Sequence, residues 1–353
     1  MKEKLTISDI AELAGVAKST VSRYLNGGSV KKETANRIQT IISKHGYEPN
    51  LFARLNAKSS KIIGLVVPGF NSVTTPRIVE VIVAYLKENH YNPLILHTDH
   101  STEEEIRSIE RLSKMNVDGI LVISTGITKQ HQKVVESISQ PVLFIGQKYE
   151  GLKTVVNDDY NAGYAIGQLI AKSGAKSVLG VWVDENDKAV GKERKNGVVD
   201  GLAASGVTNV EFVFSSYYYE ESVYILENFL EEDKLPDAII CATDRIAQSV
   251  YKLFLQSKKV IGKDVSVTGF GDYETSELLN PPLTTVKFDW YNTGRISAET
   301  ILQMIHDKPV SQLQIIPFEL IKRQSVVEKD SCTKCWLCCV RSLMKKMEPF
   351  LFF

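Results

Sequence analysis

The sequence has few cysteines, no long apolar run and no net charge, and each of these absences excludes a class of protein. Its 353 residues carry 42 Lys and Arg against 42 Asp and Glu. Four of the five cysteines lie between positions 332 and 339, and Cys241 stands alone in an apolar run, so no disulfide framework is expected in the body of the chain. No stretch of roughly eighteen apolar residues occurs and Met1 leads into a charged segment, so we expect a cytoplasmic protein without a signal peptide or a membrane span.

The chain also lacks the short motifs of common catalytic sites. Its six histidines show no metal-binding spacing, and neither a G-x-S-x-G elbow nor a P-loop occurs. His97 and His100 follow an expected strand and are candidates for the edge of a cleft, although a lone histidine more often belongs to the surface or the core. We therefore predict no catalytic residue, no metal ion and no cofactor.

The neutral average hides a basic amino-terminal segment. Residues 1–60 carry ten Lys and Arg against five Asp and Glu, whereas the other 293 residues carry thirty-two against thirty-seven. A small basic module joined to a mildly acidic body is typical of a DNA-binding unit attached to a soluble sensor.

Two short helices joined by a tight turn are predicted within residues 5–26. Thr6 can cap the first helix, with Asp9 three residues later as the acid of a capping box. Gly15 suits the positive φ at which a chain leaves a helix, so it predicts the end of this helix.

The second helix is predicted to carry a polar, basic face. Its apolar side holds Val21 and Leu25. Its opposite side presents short polar and basic residues: Lys18, Ser19, Ser22 and Arg23. Such side chains on an exposed helix suit the base edges of a DNA major groove, whereas an ordinary hairpin of surface helices is the alternative interpretation.

From residue 61 onward, short apolar runs alternate with helical stretches. The expected strands are 62–68, 93–98, 119–124, 141–146, 177–183, 210–215, 238–243 and 265–271. Continuous apolar strands separated by amphipathic helices imply parallel sheets that are covered on both faces. About 265 residues of this pattern exceed one core, so we predict two doubly wound lobes with a ligand site beyond the carboxyl ends of the strands.

Several further motifs follow the first two helices in order. The run TISDIAELAGVAKSTVSRYLN, a third helix around residues 32–45 and GYEPN at 46–50 closely resemble the DNA-binding headpiece of the LacI/GalR family of bacterial repressors. The resemblance extends to about residue 326. It is most similar to the sucrose-operon branch of the family in NGGSV, ISTGITKQHQ, IGQKY and NDDYNAGY.

This resemblance implies the division of the chain. An all-α helix-turn-helix headpiece occupies 1–49, a hinge 50–60, and an α/β core of two doubly wound lobes, similar to a periplasmic sugar-binding protein, 61–326. This core would bind an effector and form the dimer. In such a core, residues near 286–316 cross back into the first lobe and the last strand returns to the second.

The resemblance also implies which residues contact DNA. They are Thr6, Lys18, Ser19, Thr20, Ser22, Arg23, Asn26, Tyr47, Asn50, Ala53, Arg54 and Leu55. In the family the hinge places a leucine in the minor groove, and Leu55 is the matching residue. The family commonly has two residues between the hinge alanine and that leucine, but only Arg54 separates Ala53 from Leu55. One missing residue rotates Leu55 by about 100° on a helix, so either Arg54 compensates or the standard hinge complex does not form.

Contacts to a small effector follow from the resemblance as well. Arg194 matches an arginine that reaches sugar hydroxyls or an acidic group, or it is a helix-surface arginine. Tyr218, in a run of three tyrosines with ambiguous register, matches an aromatic residue that stacks on the ligand. Asp244 follows a strand and begins a helix, where it either accepts ligand hydroxyls or only caps the helix. The lining is completed by four residues that are as readily structural: Asn71, Thr74, Gln147 and Asp158.

Two glycines depart from the family pattern. Asp272 is a further ligand candidate, but Gly271 stands where many relatives carry an acid. Gly146 likewise precedes Gln147 where many relatives place an acid. We expect these changes to alter how sugar hydroxyls are held, in a roomier pocket or in one shaped for another ligand.

These features predict a sequence-specific repressor of carbohydrate genes. A homodimer, with a tetramer left open, would bind a pseudo-palindromic double-stranded operator. A sugar or sugar phosphate between the lobes would release repression. The alternative is a catabolite regulator that uses a phosphocarrier protein as co-repressor. A free sugar-binding protein would need an export signal and no headpiece.

The carboxyl-terminal tail, 327–353, does not match the family. Cys332, Cys335 and Cys338 repeat a C-x-x-C spacing that can bind zinc or an iron–sulfur cluster. Since no second separated pair and no nearby histidine occur, we predict a non-native extension or a shifted reading frame instead.

Overall fold

The protein is described by a computed structural model that covers residues 5–25, 28–45, 47, 59–230 and 235–327. Several predicted positions lie outside the described residues: Asn26, Asn50, Ala53, Arg54, Leu55, and the cysteines of the tail. The described part comprises an amino-terminal helical unit and two α/β lobes. Among its helices, none is long and apolar enough to cross a membrane.

Three helices form the amino-terminal unit, which we call the headpiece. They are α1 (Ile7–Ala14), α2 (Lys18–Leu25) and α3 (Lys32–His45). Ile10, Val21 and Ile38, one from each helix, are fully buried in its core. The three predicted helices are therefore confirmed.

Both predicted signals at the ends of α1 are also confirmed. The hydroxyl oxygen of Thr6 accepts from the backbone N–H of Asp9 at 3.4 Å, and the Asp9 carboxylate accepts from the Thr6 N–H at 2.6 Å. Gly15 follows the helix in the left-handed region, with φ 59°. These contacts span only a few residues, so the sequence nearby is enough to define the helix.

The first lobe is a six-stranded parallel sheet with helices on both faces. Its strands are β1 (Ile62–Val67), β2 (Asn92–His97), β3 (Gly119–Ile123), β4 (Val142–Ile145), β5 (Thr154–Asn157) and β11 (Leu313–Ile316). They lie in the order β11–β5–β4–β3–β1–β2. Its helices are α4 (Thr74–Glu88), α5 (Thr102–Lys114), α6 (Lys129–Ser137) and α12 (Trp290–Ile305).

The second lobe repeats this architecture. Its strands are β6 (Ser177–Trp182), β7 (Asn209–Phe214), β8 (Ala238–Cys241), β9 (Ser266–Phe270), β10 (Thr284–Phe288) and β12 (Phe318–Ile321), in the order β12–β10–β9–β8–β6–β7. Its helices are α7 (Asp159–Lys172), α8 (Lys195–Ala203), α9 (Tyr219–Phe229), α10 (Asp244–Phe254) and α11 (Glu274–Leu278). A π-helical segment, Lys188–Arg194, leads directly into α8.

The chain crosses between the lobes three times: from β5 into α7, from β10 into α12, and from β11 into β12. The expected return of the last segments to the first lobe and then to the second is thus confirmed. The expectation of wholly parallel sheets is wrong at one edge, since β12 runs antiparallel to β10. The parallel strands of both sheets end toward the cleft, so a chain leaving β11 enters the second sheet from that side and β12 must run the opposite way.

The eight predicted strands are confirmed, with ends shifted by one or two residues, and the described residues contain four further strands. β5, β10, β11 and β12 are four or five residues long and contain polar side chains, which hides them from an apolar-run criterion. The central strands β1, β3, β4, β8 and β9 are buried along their whole length. This burial on both faces explains their continuous apolar sequences.

Candidate DNA-binding helix and ligand cleft

Helix α2 presents the polar face that the sequence predicts. Lys18, Ser19 and Arg23 are exposed, and Thr20 and Ser22 are half-buried. Val21 on the opposite side is fully buried against the headpiece core. The apolar side thus anchors the helix and leaves a short basic face open, which is the arrangement needed to enter a major groove.

Two further predicted contacts have structural roles in the headpiece. Thr6 caps α1, so its hydroxyl is already engaged with Asp9. Tyr47 packs against the headpiece core and its backbone N–H donates to Ile42 at 3.1 Å. Contact of either residue with DNA stays a prediction.

A cleft of about 670 Å³ lies between the two lobes. Segments that follow the carboxyl ends of strands in both sheets line it, including Asn71 after β1, Ser124 after β3, Gln147 after β4, Asp187 after β6 and Tyr217 after β7. This is the position at which doubly wound sheets bind ligands, and the volume is that of a small-molecule pocket.

Arg194 forms part of the wall of this cleft. Its Nε and Nη2 donate to Oδ1 of Asp159 at 2.9 and 2.5 Å, and its Nη1 donates to the carbonyl of Ala242 at 2.7 Å. The guanidinium carbon lies 4.7 Å from the ring centre of Phe270 and 4.9 Å from that of Phe288. Arg194 is therefore a buried, paired cation whose orientation is defined on every side.

Asp159, the partner of Arg194, is the first residue of α7. Burial raises the pKa of its carboxyl above the usual range, and the charge of Arg194 and its hydrogen bonds oppose this shift. The two residues meet because α7 and α8 pack closely through glycines: a Cβ at Gly163 would lie 2.1 Å from the Arg194 carbonyl oxygen, and one at Gly197 would lie 2.0 Å from the Tyr160 carbonyl oxygen. The close packing requires residues without a side chain at these positions.

A hydrogen-bonded network joins the lobes at one side of the cleft. The amide of Gln147, from the first lobe, donates to Oδ1 of Asp187 at 2.8 Å and accepts from the N–H of Ala189 at 3.2 Å. Tyr217 donates its phenolic hydrogen to Oδ2 of Asp187 at 2.7 Å. Burial and the charge of Asp187 raise the pKa of Tyr217 well above its usual value. The network therefore keeps a carboxylate and a neutral phenol at the wall of the cleft.

Ionic and backbone contacts join the lobes elsewhere around the cleft. Lys148 pairs with Glu193 at 3.0 Å. Arg77 on α4 pairs with Glu274 on α11, and Arg245 on α10 donates to the carbonyl of Asn71. The lobes are thus in direct contact at several points along the rim.

Aromatic rings provide much of the apolar surface of the cleft: Tyr217, Tyr218, Tyr273, Phe270 and Phe288. Burial raises the pKa of Tyr273 to about 12, so its phenol stays protonated and can donate. Aromatic faces beside carboxylates, as at Asp184 and Asp187, suit a ligand with apolar faces and hydroxyl edges.

The structure brings five of the eight predicted effector residues together in the lining: Asn71, Thr74, Gln147, Arg194 and Tyr218. It places Asp158, Asp244 and Asp272 outside the lining of the cleft.

Asp244 is fully buried beneath the second sheet. Its carboxylate accepts from the hydroxyls of Ser276 at 2.6 Å and Thr285 at 2.5 Å and from the N–H of Tyr273 at 3.2 Å. Burial raises the pKa of this carboxyl to about 6, and the hydrogen bonds oppose the shift. A Cβ at Gly269 would lie 2.3 Å from Oδ1, which shows how closely β9 covers it. Asp244 therefore organises the wall behind the cleft and does not reach into it.

The other two acids are turned away from the cleft. Asp158 caps α7 by accepting from the N–H of Asn161, and it lines a smaller neighbouring pocket of about 90 Å³. Asp272, at φ 50°, pairs with Arg323 at 2.7 Å. In each case a nearer donor binds the carboxylate.

Residues that sequence reasoning missed complete the lining. Asp159, Tyr217 and Tyr273 each adjoin a predicted residue, Asp187 lies seven positions before Arg194, and Asp99 adjoins His100, which does edge the cleft. The available signal was a polar or aromatic residue within a few positions of a strand end. It does not tell which of two neighbouring acids points inward.

Comparisons with known proteins agree with both parts of this description. Residues 6–50 match the model of bacterial regulatory proteins of the lacI family, and residues 168–326 match the periplasmic binding protein-like domain. The chain is 33% identical to the sucrose operon repressor of Staphylococcus xylosus, over 89% of this chain and 98% of that protein. It is 26% identical to catabolite control protein A of Priestia megaterium, over 91% of this chain and 99% of that protein.

Solved structures share the fold. The lac repressor dimer bound to operator and the anti-inducer ONPF superposes with a TM-score of 0.83 at 22% identity, covering 92% of this chain and all of that one. The complex of the transcriptional regulator CelR with cellobiose superposes with a TM-score of 0.68 at 23% identity, covering 91% of this chain and 99% of that one. With its headpiece, its two-lobed core and this degree of identity, the chain belongs to the LacI family of bacterial regulatory proteins.

Proposed function

We propose that this protein is a repressor of carbohydrate-use genes, and that a sugar bound in the interlobe cleft changes its affinity for operator DNA. Sucrose or a related sugar is the first candidate, because a relative of 33% identity is a sucrose operon repressor. The observation that carries the proposal is the cleft itself, which lies between the lobes and is lined by carboxylates, polar side chains and the aromatic rings of the second lobe, in a chain that also has a helix with a basic face.

Two copies of the chain would form the DNA-binding unit in the cytoplasm. One headpiece offers a single short helix, α2, which reads only one half-site. A homodimer places two such helices at a fixed spacing on a pseudo-palindromic operator. A solved structure of the same fold is that of the lac repressor dimer bound to operator.

Ligand control would act through the arrangement of the lobes. Gln147, Arg245 and Lys148 make direct contacts across the cleft, so a ligand that replaces or strengthens them favours one lobe arrangement. A coupling free energy of about 1–3 kcal/mol changes operator affinity about 5- to 150-fold. We expect the sugar to weaken operator binding.

The test is a titration of operator binding with sugars. The purified full chain first selects its operator from a random DNA pool, and fluorescence anisotropy then measures the affinity with and without sucrose, fructose, ribose and cellobiose. We expect at least one sugar to weaken binding about fivefold or more. No change with any sugar would contradict the proposed control, and failure to select any DNA sequence would contradict the repressor function.

A catabolite regulator is the second candidate, since catabolite control protein A is 26% identical over 91% of this chain. The same anisotropy assay separates the two. A phosphocarrier protein that raises operator affinity, together with no response to sugars, would favour this alternative. Neither function includes catalytic turnover, so incubation with sucrose should leave the sugar intact when it is analysed by chromatography.

A further inference from the structure

The cleft is lined by more negatively charged side chains than positively charged ones. Among the described residues that line it, four carry carboxylates and two carry guanidinium groups. The carboxylates are Asp99, Asp159, Asp184 and Asp187, and the cations are Arg194 and Arg245. Two negative charges are therefore in excess before any ligand binds.

Both arginines are already engaged. Arg194 is paired with the buried carboxylate of Asp159, donates to the Ala242 carbonyl and lies against two phenyl rings. Arg245 donates one N–H to the carbonyl of Asn71 in the opposite lobe, which leaves its charge without a carboxylate partner. The charge of Arg194 is already compensated by Asp159, so an anion gains little there, whereas a neutral hydroxyl needs only a free N–H group.

Ser124 adds an acceptor at the wall of the first lobe. Its hydroxyl donates to Oε2 of Glu105 at 2.8 Å, and all three of Ser124, Glu105 and His131 are buried. The backbone N–H of Thr128 donates to Nδ1 of His131 at 3.1 Å, so the imidazole carries its hydrogen on Nε2, which lies 3.1 Å from the same Oε2. The hydroxyl oxygen of Ser124 also accepts from the N–H of Gly126 at 3.2 Å, and its only hydrogen is directed to Glu105, so Ser124 keeps one lone pair for a ligand donor.

We infer that the cleft takes an uncharged sugar and discriminates against the phosphorylated form of the same sugar. The inference rests on the proposed function and narrows its ligand class. The exposed carboxylate of Asp184, which accepts from Asn186, is the most open acceptor for ligand hydroxyls. Asp187 already accepts from Gln147, Val190 and Tyr217, so it and Ser124 each offer one further lone pair. A phosphate monoester carries about −1.5 to −2 charges, so it meets like charge at these carboxylates. Among the described residues of the lining, the one arginine without a carboxylate partner is Arg245, and the carboxylates outnumber it.

The start of α4 is the part of the lining most favourable to an anion. It has no acidic residue in its first turn, although the hydroxyl oxygen of Ser72 already accepts from the N–H of Thr75 at 3.1 Å. Its partial positive charge is smaller than the surrounding excess of carboxylates, so it does not reverse the preference.

The test compares matched pairs of ligands on the full chain. Isothermal titration calorimetry measures the affinity for sucrose and sucrose 6-phosphate, fructose and fructose 6-phosphate, and ribose and ribose 5-phosphate. For any sugar that binds, we expect the phosphorylated form to bind about tenfold or more weakly in 50 mM salt, and this ratio to shrink in 500 mM salt as charges are screened.

A charge variant tests the cause of this discrimination. Asp184 is exposed in the lining and its Oδ1 accepts from the N–H of Asn186 at 2.7 Å, a contact that an asparagine oxygen can keep. Asp184→Asn should raise the affinity for the phosphorylated sugar, relative to the unphosphorylated one, about three- to tenfold. Glu110→Gln removes the same charge from an exposed position on α5 outside the lining, and it should leave the ratio unchanged.

The outcomes separate this inference from the proposed function. A phosphorylated sugar that binds as tightly as its parent, or more tightly, overturns the inference and leaves a sugar-controlled repressor. No binding of any member of the panel overturns both. Binding of an unphosphorylated sugar without any change in operator affinity supports the inference and contradicts the proposed control of DNA binding.

Discussion

The headpiece and the cleft are built on different scales of sequence separation. Thr6 and Asp9, whose contacts define the start of α1, are three positions apart, whereas Arg245 and Asn71, which meet across the cleft, are 174 apart. Local signals therefore define the DNA-binding helices, and long-range packing defines the ligand site. A short motif can therefore identify the residues of the DNA-binding helices, whereas the residues of the ligand site depend on how the whole core folds.

The largest effect is expected from breaking the buried ion pair between Asp159 and Arg194, which are distant in sequence and meet at the wall of the cleft. Asp159→Ala leaves Arg194 buried without its partner, which should lower the free energy of unfolding of the core by about 3–5 kcal/mol. Urea denaturation followed by tryptophan fluorescence measures this change. The neighbouring variant Asp158→Ala removes a helix cap and should cost only about 1 kcal/mol. Equal losses from both variants would contradict the special role of the buried pair.

The next effect concerns pH and the buried Asp244. Its pKa of about 6 in the folded state lies above the usual 3.8, so the folded state holds the proton more tightly. The free energy of unfolding should therefore fall as pH rises from about 4 to about 6, by about 3 kcal/mol at most. Asp244→Asn should flatten this part of the stability curve measured by urea denaturation. Glu110→Gln, an exposed control, should leave the pH dependence of the unfolding free energy unchanged. The same pH dependence in Asp244→Asn would refute the attribution of this effect to Asp244.

A smaller effect isolates the function of the headpiece from that of the core. Arg23→Ala should weaken operator binding by about 1–3 kcal/mol through a lost base or phosphate contact. Because Arg23 is exposed, the free energy of unfolding and the binding free energy of the sugar should stay within about 0.5 kcal/mol of the values for the unmodified protein. Arg107→Ala removes an exposed arginine from α5 and should leave anisotropy-measured operator affinity unchanged. Similar weakening by both variants would indicate a general charge effect.

The smallest effect tests the local definition of α1. Thr6→Ala removes the side-chain cap and should reduce the protection of α1 amides by about 1 kcal/mol in hydrogen exchange, with core amides unaffected. Ser8→Ala, an exposed substitution inside the helix, should change protection by a few tenths of a kcal/mol. Loss of amide protection in the core as well would show that the headpiece and the core do not unfold independently.

Much of the fold was predictable for a physical reason. The central strands are buried on both faces and are therefore continuous apolar runs, which makes them predictable. The edge strands β2 and β7 are partly exposed and were predicted from their apolar residues alone. The edge strand β12 escaped prediction because FELI contains a glutamate and the segment is short. Its antiparallel direction depends on where β11 ends in the other lobe, which no local pattern contains.

The cleft was predictable in position and only partly in composition. Strand ends indicate where a ligand site lies, and five predicted residues do line it. The sequence pattern could not show whether Asp158 or Asp159 lines the cleft, because adjacent side chains at the start of α7 point in different directions. Asp158 caps the helix, and Asp159 pairs with Arg194. Arg194 in turn is held by Phe270, Phe288 and Ala242, from three different strand ends.

The three-helix headpiece, the basic face of α2 and the alternation of strands and helices follow from local sequence, because caps, glycine stops and apolar periodicity act over a few residues. Which carboxylates line the cleft depends on the packing of the two lobes. Asp244 is held beneath the second sheet by Ser276 and Thr285, Asp272 is bound by Arg323, and Asp187 reaches the cleft because Gln147 and Tyr217 meet it there. Each of these carboxylates accepts from donors that are distant in sequence, which only packing brings within hydrogen-bonding distance, although Asp187 also accepts from the nearby N–H of Val190.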